Sequence, residues 1–399
     1  MKVALVHELL TQKGGAERVL RVLAAMYPDA PIYTLLYDEK KLGDWFPRTR
    51  IRTSALQKFA RFSSNHHYYL SWFPNAVEAW NFDPCSSHHP PPSLKLRRTG
   101  NPLPFEGERE ECFDLVISSS SAFAHGIITN GKPKHLCYVH SPARYLWDRT
   151  HDVLTQSSKG LLGPLKRWYL SHLFHTLRIW DAESADRPDA LLAASKTVQR
   201  RIELYWRRES AVIYPPIDDH WFSVSHRSHV LGPRSYFLIV STLAPYKRID
   251  IAIEAYNHLR LPLTITGSGP DRKRLERLAG PTVTFLGYVP EENLPDLYRG
   301  AIATICPGDE DFGLVPLESM ACGTPVIAFR SGGALETIQE NITGQFFNEP
   351  TAPSLAEAIQ YFDRSHFSED TCRAHAQKFS REAFEKDIRS AVAKLLIVS

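Results

Sequence analysis

Apolar residues in this chain come in short unbroken runs, each followed by a glycine or proline turn and then by a stretch of helical periodicity. Residues 2–6, Lys-Val-Ala-Leu-Val, form the first run, the pattern of a strand buried on both faces of a parallel sheet. His7 and Glu8 break it, Gly14-Gly15 follows, and 16–23 repeats with a helical period. Strand, glycine turn and helix make the opening unit of a doubly wound domain. Residues 31–37, 114–118, 134–139 and 189–193 predict further strands, most of them separated by helical patterns.

Tyr214-Pro215-Pro216 closes this series as an extended hinge, because proline fixes its own φ and restrains the residue before it. A second series starts beyond it. Strands are predicted at 236–240, 263–266, 283–286, 302–306 and 325–328, and helices at 250–259 and 315–321. Two such series predict an α/β chain of two facing Rossmann-like domains with an interdomain cleft. The division falls at 1–215 and 216–380, with 381–399 a C-terminal helix able to pack back on the N-terminal domain. Residues 83–112 carry Ser-Ser-His-His-Pro-Pro-Pro and Gly-Glu-Arg-Glu-Glu without periodicity. They are expected to be a disordered insertion.

Length and composition narrow the class. A chain of 399 residues exceeds one ordinary core. With 43% hydrophobic and 23% charged residues it reads as soluble and globular, and a net charge of +3 gives no reason to expect nucleic acid. Six scattered cysteines without a CxxC pair speak against a zinc-thiolate site or a disulfide framework and for a reducing cytoplasm. The N-terminal apolar run is too short and broken for a signal peptide. No run reaches the ~20 apolar residues that span a bilayer, so membrane contact is expected to be peripheral.

The strongest chemical signal is Glu310-Asp-Phe-Gly-Leu-Val-Pro-Leu-Glu318, followed by Ser-Met-Ala-Cys-Gly-Thr-Pro-Val-Ile. A glycine loop runs into a helix, so backbone N–H groups of Phe312, Gly313 and Leu314 can face an anion. Glu318, one turn in, can accept hydrogen bonds from a ribose diol, and Glu310 can reach sugar hydroxyls. One short segment can thus hold sugar, phosphate and ribose.

This segment resembles the E-x7-E motif of retaining GT-B glycosyltransferases of family four. The resemblance extends to Val6-His7-Glu8, Gly14-Gly15-Ala16-Glu17-Arg18, the block from His140 to Asp148, Ile213-Tyr214-Pro215-Pro216, Pro245-Tyr246-Lys247-Arg248-Ile249-Asp250 and Gly332-Gly333-Ala334-Leu335-Glu336-Thr337. These blocks follow the family's order, and the His140 block is most similar to mannosyltransferases of bacterial O-antigen and exopolysaccharide assembly. The resemblance implies a GT-B fold, a nucleotide-sugar donor with GDP-mannose favoured, no cofactor, and a lipid-linked or glycan acceptor in cell-surface polysaccharide or lipopolysaccharide synthesis. A glucosyl- or other hexosyltransferase using a UDP-sugar stays open, as does a non-catalytic nucleotide-sugar-binding protein. A dinucleotide-dependent oxidoreductase is disfavoured because the first loop lacks G-x-G-x-x-G.

Asp309-Glu310-Asp311 imitates a DxD metal motif, but its middle residue is the first glutamate of the longer pattern, and the resemblance implies a metal-free reaction. Lys247 and Arg248 are then the cations expected to neutralise the leaving diphosphate. Many relatives carry an arginine five residues before the lysine, where this chain has Thr242. The resemblance places His140 beside the transferred sugar and Gly14, Gly15 and Gly269 close to the donor. It also implies front-face attack assisted by the departing diphosphate.

Residues 40–80 interleave Lys40, Lys41, Arg48, Arg50, Arg52, Lys58 and Arg61 with Trp45, Phe46, Phe59, Tyr68, Tyr69, Trp72 and Phe73, and 165–179 has a similar character. Such stretches suit either the anionic inner face of the cytoplasmic membrane or a solvated basic face over buried aromatics.

Overall fold

The computed structural model describes residues 1–60, 66–82, 112–157, 160, 162–222 and 234–397. The expected insertion at 83–112 lies outside these residues except for Cys112. The chain divides into two compact units. One comprises Met1–Ala193, Gln199–Ala211 and Arg389–Ser399, the other Ala194–Val198 and Val212–Ile388.

The first unit carries a seven-stranded sheet of β1 (Val3–Leu10), β2 (Ile32–Tyr37), β3 (Ile51–Thr53), β4 (Leu115–Ser120), β5 (Lys134–Val139), β6 (Ala190–Ala193) and β7 (Ala211–Val212), ordered β3-β2-β1-β4-β5-β6-β7. β1 pairs in parallel with β2 on one side and β4 on the other. The strand order therefore reverses beside β1, as in a doubly wound fold. The expected end of the first strand is corrected: β1 continues through His7 and Glu8 to Leu10, and both polar residues are buried. They stay in the strand because their polar atoms are hydrogen-bonded inside the unit, which removes the cost of burying them.

The second unit repeats the plan with β8 (Tyr236–Val240), β9 (Leu263–Thr266), β10 (Val283–Gly287), β11 (Ala301–Cys306), β12 (Val326–Phe329) and β13 (Gly344–Phe347), ordered β10-β9-β8-β11-β12-β13. Its sheet has a core on each face. Phe237 and Ile239 of β8 join Ile251, Ala252, Leu355 and Ile359 in one cluster, while Leu238 joins Leu317, Met320, Cys372 and Ala376 in the other. Alternate residues of one strand thus serve two cores, which is why the sequence shows an unbroken apolar run. Each fully buried aliphatic side chain contributes about 1.5–3 kcal/mol. β3, β7 and β13 were not readable as strands; the first two span three and two residues and β13 opens on glycine.

The turns that follow β8 and β9 lie in backbone contact. Leu243 N–H donates to Ser268 O at 2.9 Å and Ser241 N–H to Thr266 O at 3.1 Å. Gly267 has φ of 127°, and a Cβ there would sit 1.9 Å from Ser241 O; one on Gly269 would sit 2.2 Å from Leu243 O. Both glycines are required by this close approach. Gly267→Ala is expected to lower the unfolding free energy of the second unit by about 2–4 kcal/mol, read as an earlier urea midpoint. An unchanged midpoint would mean that the two turns separate without cost.

Candidate functional site

In open α/β sheets ligands bind beyond the carboxyl ends of the strands where the strand order reverses. In the second unit that point lies between β8 and β11. Beyond β8 the chain makes a tight turn at Pro245–Lys247, then Arg248 with a left-handed φ of 50°, then the helix Ile249–Leu259. Beyond β11 comes the loop 307–313. The two loops touch: a Cβ on Gly308 would lie 3.0 Å from both Cα and O of Lys247.

That contact brings Lys247 onto Glu310. Its Nζ donates to Oε1 at 2.5 Å and to Oε2 at 2.7 Å. Burial alone would lower the Lys247 pKa, but Glu310 outweighs it and the value is raised, so the ammonium keeps its proton across the neutral range. Arg248 is directed elsewhere, with its Nε 3.4 Å from Asp250 Oδ1 and its side chain 43% exposed. Of the two cations expected to meet the diphosphate, Lys247 is thus paired with Glu310 and Arg248 with Asp250. A non-glycine residue held at left-handed φ costs about 1 kcal/mol or more, a strain that tends to persist where function needs it.

The loop carrying Glu310 is fixed from behind. Gly333 N–H donates to Glu310 O at 2.8 Å, and Ser195 Oγ donates to Asp311 O at 2.6 Å. A Cβ on Gly332 would sit 2.3 Å from Glu310 O, and one on Gly333 2.2 Å from the Phe312 Cα. Ser331 Oγ donates to Asp309 Oδ1 at 2.8 Å. Asp309 is thus held by Ser331 while Glu310 holds Lys247.

The loop ends at Gly313, whose φ of 91° turns the chain into the helix Leu314–Ala321; no side chain caps it. The Phe312 ring points into the unit, stacked 5.5 Å from Tyr214, so only its backbone is placed for ligand contact. Glu318 is 3% exposed, and its Oε2 accepts from Tyr298 Oη at 3.0 Å. Gly269 touches the Leu243 backbone, which explains the glycine without a ligand.

The first unit gathers its own cluster at the reversal between β1 and β4. Glu8 Oε1 accepts from Ser120 Oγ at 2.9 Å and from the N–H groups of Ser121, Ala122, Phe123 and Ala124 at 2.6, 2.7, 3.0 and 3.3 Å. Burial would raise the Glu8 pKa, but the His7 charge and these backbone donors lower it. His7 Nδ1 lies 3.1 Å from both O and Oγ of Ser119, and its Nε2 lies 3.9 Å from Glu17 Oε1. Burial pulls the His7 pKa down, yet Glu17 and Glu8 outweigh it and leave it raised.

His140 Nε2 is 2.8 Å from Ser119 Oγ. Burial and then the charge on His7 push its pKa down to about 3, so His140 is neutral at physiological pH. Gly14 precedes the helix Gly15–Met26, and a Cβ there would meet the Glu17 carboxylate at 2.7 Å. The expected site residues thus fall into two sets. Lys247, Arg248, Glu310, Phe312, Gly313, Leu314, Glu318 and Gly269 lie in the second unit; Gly14, Gly15 and His140 lie in the first.

Sequence reasoning passed over Tyr298, Ser195 and Ser119. Only Ser119 left a trace, a run of four serines, 118–121, after an apolar strand. Glu336 was seen as part of a block but not for what it does. Its carboxylate accepts from Lys196 N–H at 2.8 Å and Thr197 N–H at 3.0 Å.

Residues 225–382, which hold the second unit's sheet and site, match the family model described as glycosyl transferases group 1. Human alpha-1,3/1,6-mannosyltransferase ALG2 is 31% identical over 220 residues, covering 47% of this chain and 53% of that protein. A GDP-mannose-dependent alpha-(1-6)-phosphatidylinositol monomannoside mannosyltransferase of Mycolicibacterium smegmatis is 34% identical over 151 residues, covering 32% of this chain and 38% of that protein. The chain thus spans about half the length, or less, of these curated relatives. The solved Anabaena HepE in complex with UDP superposes with a TM-score of 0.67 at 16% identity over 99% of this chain and 100% of that one. The fold is that of GT-B proteins, two parallel-sheet Rossmann-like units.

The sign of the His7 shift sets a pH test. A raised folded-state pKa contributes stability that is complete below the ordinary value of 6.5 and is lost as pH rises through the folded value. The stability gap between wild type and His7→Gln in urea unfolding is expected to be widest near pH 6 and to close toward pH 9. A gap that widens with pH would show that His7 is neutral in the folded chain.

Proposed function

We propose that a chain with these two Rossmann-like units and a group 1 match over its second unit is a retaining, metal-independent glycosyltransferase. It moves a hexose, with mannose from GDP-mannose favoured, to a lipid-linked or glycan acceptor in cell-surface glycan synthesis. The observation that carries the reading is the Lys247–Glu310 pair at the strand-order reversal of the second unit, beside an uncapped helix N-terminus. The mannosyl part is supported by the activities of the two mannosyltransferase relatives.

In this mechanism the diphosphate of the donor lies over the N–H groups of residues 312–314, and Lys247 carries the charge that develops on it. Glu310 orients the sugar hydroxyls and Glu318 the ribose. The bond from the anomeric carbon to the diphosphate breaks through an oxocarbenium-like state. The acceptor oxygen bonds on the same face and passes its proton to the departing phosphate. Fixed N–H groups and a fixed ammonium are most effective in such a state because they need no reorganisation.

The test is a panel of nucleotide sugars, each incubated with the purified chain and an acceptor with and without EDTA. GDP-mannose turnover that EDTA leaves intact is expected, with Lys247→Ala lowering kcat about 10²–10³-fold. Turnover of UDP-glucose alone would overturn the mannosyl part; binding without turnover would leave a non-catalytic sensor; dependence on added magnesium would return the Asp309-Glu310-Asp311 reading.

The acceptor side is proposed to work at an anionic membrane surface. The 40–80 stretch supports this less than its composition suggested. Phe46, Tyr69 and Phe73 are buried, and Arg50 donates to three backbone carbonyls of its own unit, of Ala24, Tyr27 and Ala30. The helix Gly163–Ser184 supports it more. It buries Phe174 and Leu177 and leaves Leu165, Trp168, Tyr169 and Ile179 at 63%, 68%, 53% and 48% exposure. Lys166, Arg167 and His172 are interleaved with them on its exposed side. Residues 165, 168, 172 and 179 recur at helical spacing. Among the described residues no helix is long and apolar enough to cross a membrane. Flotation with phosphatidylserine vesicles is expected to carry the wild type, and Leu165→Ser with Trp168→Ser to reduce the bound fraction at least tenfold. Equal flotation of both would move the contact off this helix.

A further inference from the structure

Away from the proposed donor contacts, three ligand-type side chains of the second unit converge. Among the described residues, Asp218, His220 and Glu291 place one oxygen or nitrogen each within 4.8 Å of one another. We propose that they form a binding site for a divalent cation of the zinc type, which clips the start of the second unit to the segment after β10.

The donor set fits that class. One imidazole and two carboxylates hold zinc in many proteins, with the remaining position taken by water. His220 Nε2 lies 3.3 Å from Glu291 Oε1, and the edge of a tetrahedron with metal–ligand bonds of about 2.0–2.1 Å is itself about 3.3 Å. The three ligand atoms are shielded from solvent, each with an accessible area below 1 Å². The residues carrying them are only half-buried, so an ion has a route in.

The backbone supports the same reading. Asp218 precedes the short turn Asp219–Trp221, and Glu291 opens the short turn Glu291–Asn293 immediately after Pro290. Trp221 is fully buried, and the His220 ring lies 4.4 Å from it. The turn that carries His220 is therefore anchored before any ion arrives. Two carboxylates and one imidazole that converge this closely are matched in charge and donor type by a divalent ion. Scattered cysteines argued against a thiolate zinc site, and an oxygen–nitrogen site lies outside that reasoning.

The clip reaches the E-x7-E segment through packing. The Trp221 ring sits edge-on to Tyr298 at 5.8 Å, and Tyr298 Oη donates to Glu318. The ion would hold the turn on which this contact rests. It is a positioning site and takes no part in bond making.

The full-length chain, stripped with chelator and dialysed against Zn²⁺, is expected to retain one equivalent by elemental analysis. Its Tm is expected to rise on the order of 5 °C with zinc in hundredfold excess over Kd. Co²⁺ in place of zinc is expected to give visible d–d absorption of low coordination number. His220→Ala, at a half-buried position that keeps the fold, is expected to weaken zinc binding at least about 100-fold, and Asp218→Asn to weaken it as well. Asp309→Asn is expected to keep the equivalent. The proposal is overturned if wild type holds no zinc after dialysis, if His220→Ala holds as much as wild type, or if Asp309→Asn loses the ion. Dialysis reads the ion whether or not any sugar is transferred, so its outcome is independent of the glycosyltransferase reading.

Discussion

The ion pair between Lys247 and Glu310 is the constraint that shapes the second unit around the candidate site. It joins a turn after β8 to a loop after β11, two segments about sixty residues apart in sequence that meet only because their strands are neighbours. A pair of this kind contributes little net stability, since the desolvation of two charges offsets most of their attraction. Its consequence is geometric. An ammonium gripping both oxygens of one carboxylate stands at a fixed place, and everything behind it is built to keep it there: Gly308 against Lys247, Gly332 and Gly333 against the Glu310 loop, Ser195 on Asp311.

The Lys247–Glu310 pair is neutral as a whole. In the proposed reaction, a diphosphate that takes over the ammonium would leave Glu310 to bind hydroxyls instead of a cation. Charge is then exchanged between partners and need not be created in a buried place, where an uncompensated ion is expensive. The uncapped N-terminus after Gly313 adds partial positive charge close to the same loop, while Arg248 is turned toward Asp250.

Much of this was legible in sequence. The strand–turn–helix alternation gave both sheets because strands buried on two faces are unbroken apolar runs, and Phe237 to Val240 is such a run serving two cores. Glu310 and Glu318 stand out by their spacing and Lys247 by its place after a predicted strand, and the structure brings Lys247 onto Glu310. What supports them was not. Tyr298 lies 20 positions from Glu318, and Ser195 lies 116 positions from Asp311; no local period connects such pairs. The end of β1 was missed for a related reason. His7 and Glu8 look like a strand break until Ser119 and the turn after β4 are in place to receive them, and those donors lie 112 and more positions on.

The first unit constrains the chemistry by what its charged groups cannot do. Glu8 accepts five hydrogen bonds through one oxygen and is held ionised, so taking a proton would break a buried network whose loss is costly. Glu17 faces His7. His140 is the member of the cluster that stays neutral, with a pKa pushed down to about 3. An imidazole that weak a base cannot remove a hydroxyl proton at neutral pH, but it can offer or accept a hydrogen bond while staying uncharged. Among the described groups of this cluster, the neutral imidazole of His140 is the one that can exchange a hydrogen bond without first gaining or losing a charge.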